Sequence, residues 1–303
     1  MTSEPKKRQQ HYVWKYLLRA WSDNGAVWCR MADRCFRVNV DRVAKQRDFY
    51  RMRELTHGDI RFLIAYIEKA DNECLRKLNF GWLCAFRSFT NYKQFAEKNG
   101  FENPDVARKL EEMEINLEEN LHNGIEELAK PYLELAKEGD LSFLNDKASY
   151  QKFIYFLAVQ YLRTARNKER TLPLLTNAFG VNFERIWGVF THIAATNVSS
   201  SLIVDRNRYN AVLLAAPDGR QFITGDQPVI NTYANPDDVY SPPDNFDMYF
   251  PMSPRLALYL TDRAEWARED TVLVTQDRVA WFNGMMAKHS HRQLFGASKE
   301  AIE

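Results

Sequence analysis

Long hydrophobic runs are missing from this chain. No window approaches the ~20 consecutive apolar residues of a bilayer-spanning helix, because Arg, Asp or Gln interrupts even the richest segments. An integral membrane protein of the helical kind is therefore not expected. Cysteine is scarce: Cys29, Cys35, Cys74 and Cys84 are the only four in 303 residues, and none share C-x-x-C spacing. That excludes a disulfide scaffold or a zinc-finger site and points to reduced thiols in a cytoplasmic setting. Charge of one sign is lacking too, with 41 basic against 40 acidic side chains. No whole-molecule field draws the protein to nucleic acid or an anionic membrane, so any such binding must be local. The glycine-dependent signatures G-x-x-x-x-G-K-[ST], G-x-G-x-x-G and G-x-S-x-G are absent, as is H-E-x-x-H. Internal repeats and low-complexity stretches are absent as well.

Large apolar side chains are abundant, with 19 Phe, 14 Tyr and 7 Trp. They suffice for a sizeable core, and we expect one domain over residues 1–303. The expected fold class is α+β and predominantly α-helical. A hairpin region at 11–50 precedes a helical block at 58–200, and a β-rich part with a final helix occupies 208–295. Val27–Met31 and Cys35–Asn39 read as two strands around a turn at Asp33 and Arg34. Ile60, Leu63, Ile64 and Ile67 begin helical spacing, and a second helix runs through Trp82, Phe86 and Phe89. Asn99-Gly100 and Asn123-Gly124 read as helix ends, and Pro131 as a start or kink. A helix from about Lys147 to Arg170 has an apolar face opposite Gln160, Arg163, Arg166 and Arg170. A break is expected near Gly180. Ala211–Ala215 and Gln221–Thr224 read as a second hairpin around Pro217-Asp218-Gly219. A loop at Asn231–Asp247 leads to strands near 248–251, 255–260 and 271–274 and a helix from about Asp277 to Ser290. Together the later strands make a small antiparallel sheet.

Several short motifs are spread along the chain: His11-Tyr12-Val13 with Tyr16-Leu17-x-Arg19, Gln160-x-x-Arg163-Thr164, Phe222-Ile223-Thr224-x-Asp226-x-Pro228, and Phe250-Pro251-x-Ser253. In this combination the sequence resembles a widespread bacterial family known as a domain of unknown function, DUF4238, whose opening segment is of H-Y-V-P type. Trp14 stands here where the proline would. The resemblance implies no established chemistry, though it does pair Gln160 with Arg163.

Three residues are read as catalytic candidates. Asp226 ends the expected second hairpin, where a rim would offer its carboxylate to a metal or a reacting proton; the same group can instead satisfy the N–H groups of a turn. Arg163, with Arg166 as a binding neighbour, would form a fork for phosphate or carboxylate; a charged face is also what any amphipathic helix presents. His11, beside Tyr12 and near Arg19, suits proton transfer near neutrality, or simple packing. Gln160, Arg19 and Asn283 complete the binding candidates. No residue is assigned to a metal. His289-Ser290-His291 diverges on a helix, and the acidic run Glu111, Glu112, Glu114, Glu118 and Glu119 reads as an exposed helix face. A divalent ion is left open but is not indicated by ligand spacing. Lys6, Lys7 and Arg8 read as a solvated terminus.

These residues point first to a phosphoester-directed, nuclease-like effector of a bacterial defence or toxin system. There Arg163 and Arg166 would hold phosphate, and His11 or Asp226 would handle protons. Two other readings compete with it. One is a non-catalytic protein-binding or scaffold protein anchored by Trp14, Trp21 and Trp28; the other is a ligand or nucleotide sensor resting on the arginines. Nucleic acid and a protein partner both stay open as ligands.

Overall fold

A computed structural model describes residues 4–99, 103–238, 241, 243–266 and 271–303. The fold is predominantly helical α+β. Strand β1 (Gln9–His11) pairs antiparallel with β4 (Lys45–Arg47), and the short helix α1 (Lys15–Arg19) lies between them in the chain. The expected first hairpin forms from β2 (Ala26–Met31) and β3 (Arg34–Asn39). Its register sets Cys29 opposite Phe36, so the two nearby cysteines stay unlinked.

The helical block follows as α2 (His57–Glu68), α3 (Glu73–Lys98), α4 (Pro104–Lys137), α5 (Lys147–Leu162), α6 (Ala165–Phe179) and α7 (Phe183–Val204). Helix α5 is its centre, packing on both α4 and α7. Phe153, Ile154, Phe156, Leu157, Ala158, Val159 and Gln160 are all buried on it, so from Phe153 onward it has no solvated face, while Lys147, Ala148, Gln151 and Lys152 before them are exposed. The C-terminal third holds β5 (Asn210–Ala215), β6 (Thr224–Gly225), β7 (Met248–Pro251), β8 (Leu256–Thr261), β9 (Thr271–Leu273), α8 (Gln276–His289) and β10 (Leu294–Gly296). One sheet runs β7-β8-β5-β9, antiparallel except for the β5-β9 pair. The other runs β3-β2-β10-β6, so the two ends of the chain share a sheet. Trp21 adds a long-range tie, its Nε1–H donating to the Phe222 carbonyl at 2.9 Å.

Several local expectations are corrected. The second hairpin does not form: β5 is taken by β8 and β9, while Phe222 donates to the Pro254 carbonyl and β6 pairs with β10. Central residues Val212–Leu214 are buried, and only partners on both edges satisfy such a strand. Helix α4 runs straight through Asn123-Gly124 and Pro131. These positions are exposed, and packing along the whole buried face, including Ala129, Leu133 and Ala136, offsets penalties of about 1 kcal/mol for the glycine and about 3 kcal/mol for the proline. The Asn99-Gly100 signal falls partly outside the described residues. Gly180 does end α6, in a left-handed conformation at φ 65°. The basic terminus is solvent-facing but fastened by ion pairs rather than free: Arg8 binds Asp48 at 2.9 Å and Glu111 at 2.6 Å, and Lys6 also binds Glu111.

The single helix expected over 147–170 is two. Thr164 interrupts it, its side chain accepting from the Asn167 N–H as the N-cap of α6. The break turns Arg163 and Arg166 in different directions.

Candidate active site

Helix α4 carries buried polar side chains where a long amphipathic helix would be apolar. Glu118, His122 and Glu126 repeat every four residues and therefore stack along one face. The acidic run is thus corrected from an exposed face: Glu112 and Glu118 are buried.

This stripe meets the end of α5. Arg163 is 2% exposed, and its guanidinium forms a close ion pair with Glu126 while also donating to Gln160 Oε1 at 3.1 Å. Burial alone would depress the guanidinium, but Glu126 foremost, with Tyr50 and Glu119, more than offsets it and keeps Arg163 charged. Above the pair lies a cavity of about 310 Å³. His11, Trp14, Tyr16 and Arg19 of the N-terminal segment form one wall; Glu119, His122 and Glu126 of α4 form the other. Lys15, Arg19 and Lys130 ring the mouth. The Trp14 and Tyr16 rings are 4.5 Å apart, tilted 33° to each other, and form an aromatic flank.

Unpaired groups collect around this cavity. His11 Nε2, Glu119 Oε2, His122 Nδ1 and Arg163 Nε are buried without hydrogen-bond partners, as are Tyr50 Oη and Gln160 Nε2 behind them. Burial pushes the Glu119 carboxyl up to about 7, with Arg163 opposing and Glu126 reinforcing the shift. Burial, aided by Lys15 and Lys45, pulls His11 down to about 4, so its imidazole is neutral at physiological pH.

Behind His122 the polar layer continues into the protein. His192 of α7 is fully buried, with its ring 5.1 Å from that of His122 and stacked on Trp82 at 4.6 Å. Among the described residues, Glu118, His122 and His192 are the one group of three ligand-type side chains whose donor atoms lie within 4.8 Å of one another. Burial drives both imidazoles well down, with Arg163 adding to the effect, so each is neutral and keeps a free lone pair. Burial pushes Glu118 up to about 8.

Of the residues singled out in the sequence, His11, Arg19 and Arg163 line the cavity and Gln160 braces it. Asp226 does not join them. Its carboxylate is 0% exposed rather than on a rim, and it accepts from the N–H groups of His291, Arg292 and Gln293 at 2.7, 2.8 and 3.0 Å. Arg166 spends its guanidinium on the carbonyls of Lys288, Ser290 and Pro236, on the wall of a separate cavity of about 830 Å³. Asn283 bridges Gln221 and Ile223. All three fasten the irregular C-terminal segments. His289 is buried near Arg166, while His291 pairs with Glu169 at 2.9 Å, so these two diverge. Trp21 is core rather than an exposed anchor, and Trp14 and Trp28 are half-buried.

Sequence reasoning set Glu118 and Glu119 on an exposed helix face and missed His122, Glu126 and His192. The signal was the spacing E-E-x-x-H-x-x-x-E, which puts acids and a histidine on one helix face; His192 carried no local signal at all. No helix among the described residues is long and apolar enough to cross a membrane. No curated protein and no solved structure matches the chain. A family model described as protein of unknown function (DUF4238) matches residues 9–300, and the chain belongs to that family.

Proposed function

We propose that the cavity between the N-terminal segment and α4 is the active site of an enzyme that hydrolyses a small phosphoester. The observation that supports this reading is the convergence of buried, unpartnered polar atoms on one cavity: His11 Nε2, Glu119 Oε2, His122 Nδ1 and Arg163 Nε. Each such atom costs about 1–3 kcal/mol when left unpaired, so a ligand or water that pairs them is strongly favoured. Arg19 and Arg163 supply the cationic side of the lining, with Lys15 and Lys130 nearby but already beside Asp41 and Glu127. The Trp14 and Tyr16 flank suits a planar group such as a nucleobase. A volume of about 310 Å³ fits a mononucleotide-sized ester better than a duplex.

In this reading Arg163 Nε and the rim cations hold the phosphoryl oxygens. Glu119 accepts a proton from the attacking water as the phosphorus–ester oxygen bond breaks, and the departing oxygen recovers that proton. The test is a panel of nucleotides, an aryl phosphate and short RNA and DNA, each with and without divalent ions. Turnover of at least one small ester is expected, falling about 100-fold or more in folded Glu119→Gln. No turnover under any condition, or full activity in Glu119→Gln, refutes the assignment.

A further inference from the structure

We propose that Glu118, His122 and His192 bind a first-row divalent transition-metal ion beneath the cavity. The three side chains come from two facing helices, α4 supplying Glu118 and His122 and α7 supplying His192. All are buried, and their donor atoms lie within 4.8 Å of one another.

The spacing fits ligands around an ion better than it fits hydrogen bonds. Glu118 Oε1 and His122 Nε2 are 3.7 Å apart, too far for a hydrogen bond. Two ligands held at about 2.1 Å from a tetrahedral ion lie about 3.4 Å apart. Closing the widest pair takes a contraction of at most about 1.4 Å, within reach of side-chain rotation.

Two further observations point at a ligand. His192 Nε2 is buried without a partner on a fully enclosed ring. Tyr155 Oη lies 3.0 Å from His192 Nδ1, so an ion held by Nε2 would leave the Nδ1–H to donate to the Tyr155 oxygen. An outer partner that orients an imidazole in this way is characteristic of metal ligands. Gly188 stands one turn before His192 and makes room for the carboxylate: a Cβ there would lie 2.3 Å from Glu118 Oε2.

Two imidazoles and one carboxylate select zinc, iron or cobalt over magnesium or calcium, which prefer oxygen-rich sites. Three protein ligands leave at least one position for water or an exogenous group. Metal binding needs no substrate and no turnover, so its test stands apart from the chemistry proposed for the cavity.

Chelator-treated full-length protein is titrated with Co2+, Zn2+ and Mg2+ by calorimetry, with Co2+ also followed by its visible absorption. One equivalent of Co2+ is expected to bind, to give ligand-field bands and to be displaced by Zn2+, while Mg2+ competes at least 100-fold less well. Glu118→Gln, nearly isosteric, is expected to weaken Co2+ binding about 100-fold. Gly188→Ala keeps every ligand but displaces the carboxylate, and it is expected to weaken binding at least 10-fold; it decides the matter should Glu118→Gln fail to fold. His291→Gln, far from the site, leaves binding unchanged. Absence of stoichiometric binding, equal affinity in the Glu118 and Gly188 variants, equal preference for Mg2+, or loss of binding in His291→Gln overturns the assignment.

Discussion

Replacing Arg163 with methionine tests how the cavity floor is held together. Arg163 and Glu126 are 2% and 4% exposed at their side chains, and Glu119 lies close enough to add a second buried carboxyl. Methionine keeps the apolar stem but leaves Glu126 without its counter-ion and Gln160 Oε1 without its 3.1 Å donor. Removing one partner of a buried pair costs about 3–5 kcal/mol, because the other charge stays desolvated. The loss must also depend on pH. Burial raises the Glu126 carboxyl and Arg163 opposes that shift, so in Arg163→Met the carboxyl rises further above its ordinary 4.5. The folded variant then holds a proton that the unfolded chain has released. Its deficit relative to the wild type is therefore smallest at low pH and grows by about 1.4 kcal/mol per pH unit only between the raised Glu126 pKa of the wild type and the still higher one of the variant. Urea unfolding followed by far-UV circular dichroism at pH 5 and pH 8 measures both effects. Adding Glu126→Gln should recover at least about 2 kcal/mol at pH 8 and flatten the dependence. A loss below about 1 kcal/mol at pH 8, or no recovery in the double variant, would show that the pair does not carry the floor.

Asp226→Asn should cost about 2–4 kcal/mol in urea unfolding, since the amide presents one acceptor oxygen and two donors to three N–H groups. Metal or ligand binding by the folded fraction should not change; a near-neutral unfolding midpoint would contradict the bracing role. His289 is pulled down to about 4, chiefly by burial and then by Arg166. Between pH 6.5 and about 4 the unfolded chain therefore binds a proton that the folded one does not. Its contribution is fully present above pH 6.5 and is lost as pH falls, by up to about 3 kcal/mol. Subtracting the stability of His289→Gln from that of the wild type at pH 7.5 and pH 4 isolates this slope, and a difference independent of pH would refute it.

The helical block, the first hairpin and the break at Gly180 were legible in the sequence because their causes are local: apolar spacing, turn residues and a left-handed glycine. The second hairpin was not. A turn at Pro217-Asp218-Gly219 reverses the chain, but which strand pairs with β5 is settled by non-local ladders to β8 and β9. Arg163 and Arg166 looked equivalent at helical spacing until Thr164 capped a new helix between them. The site divides in the same way. His11, Arg19, Gln160 and Arg163 stood out by residue type, and the cavity gathers them. Asp226 stood out by its neighbours, yet its buried carboxylate is enclosed by three backbone donors. The stripe Glu118, His122 and Glu126 was written in α4 all along, but acids at such spacing usually face water. Only the packing of α4 against α5 and α7 buried them, and only it set His192 beside His122. By itself the sequence determined the elements and the one-face alignment of those α4 groups, because both follow from backbone geometry. Which face lost its water, and what met it there, was decided by the tertiary structure, because desolvation depends on neighbours distant in the chain.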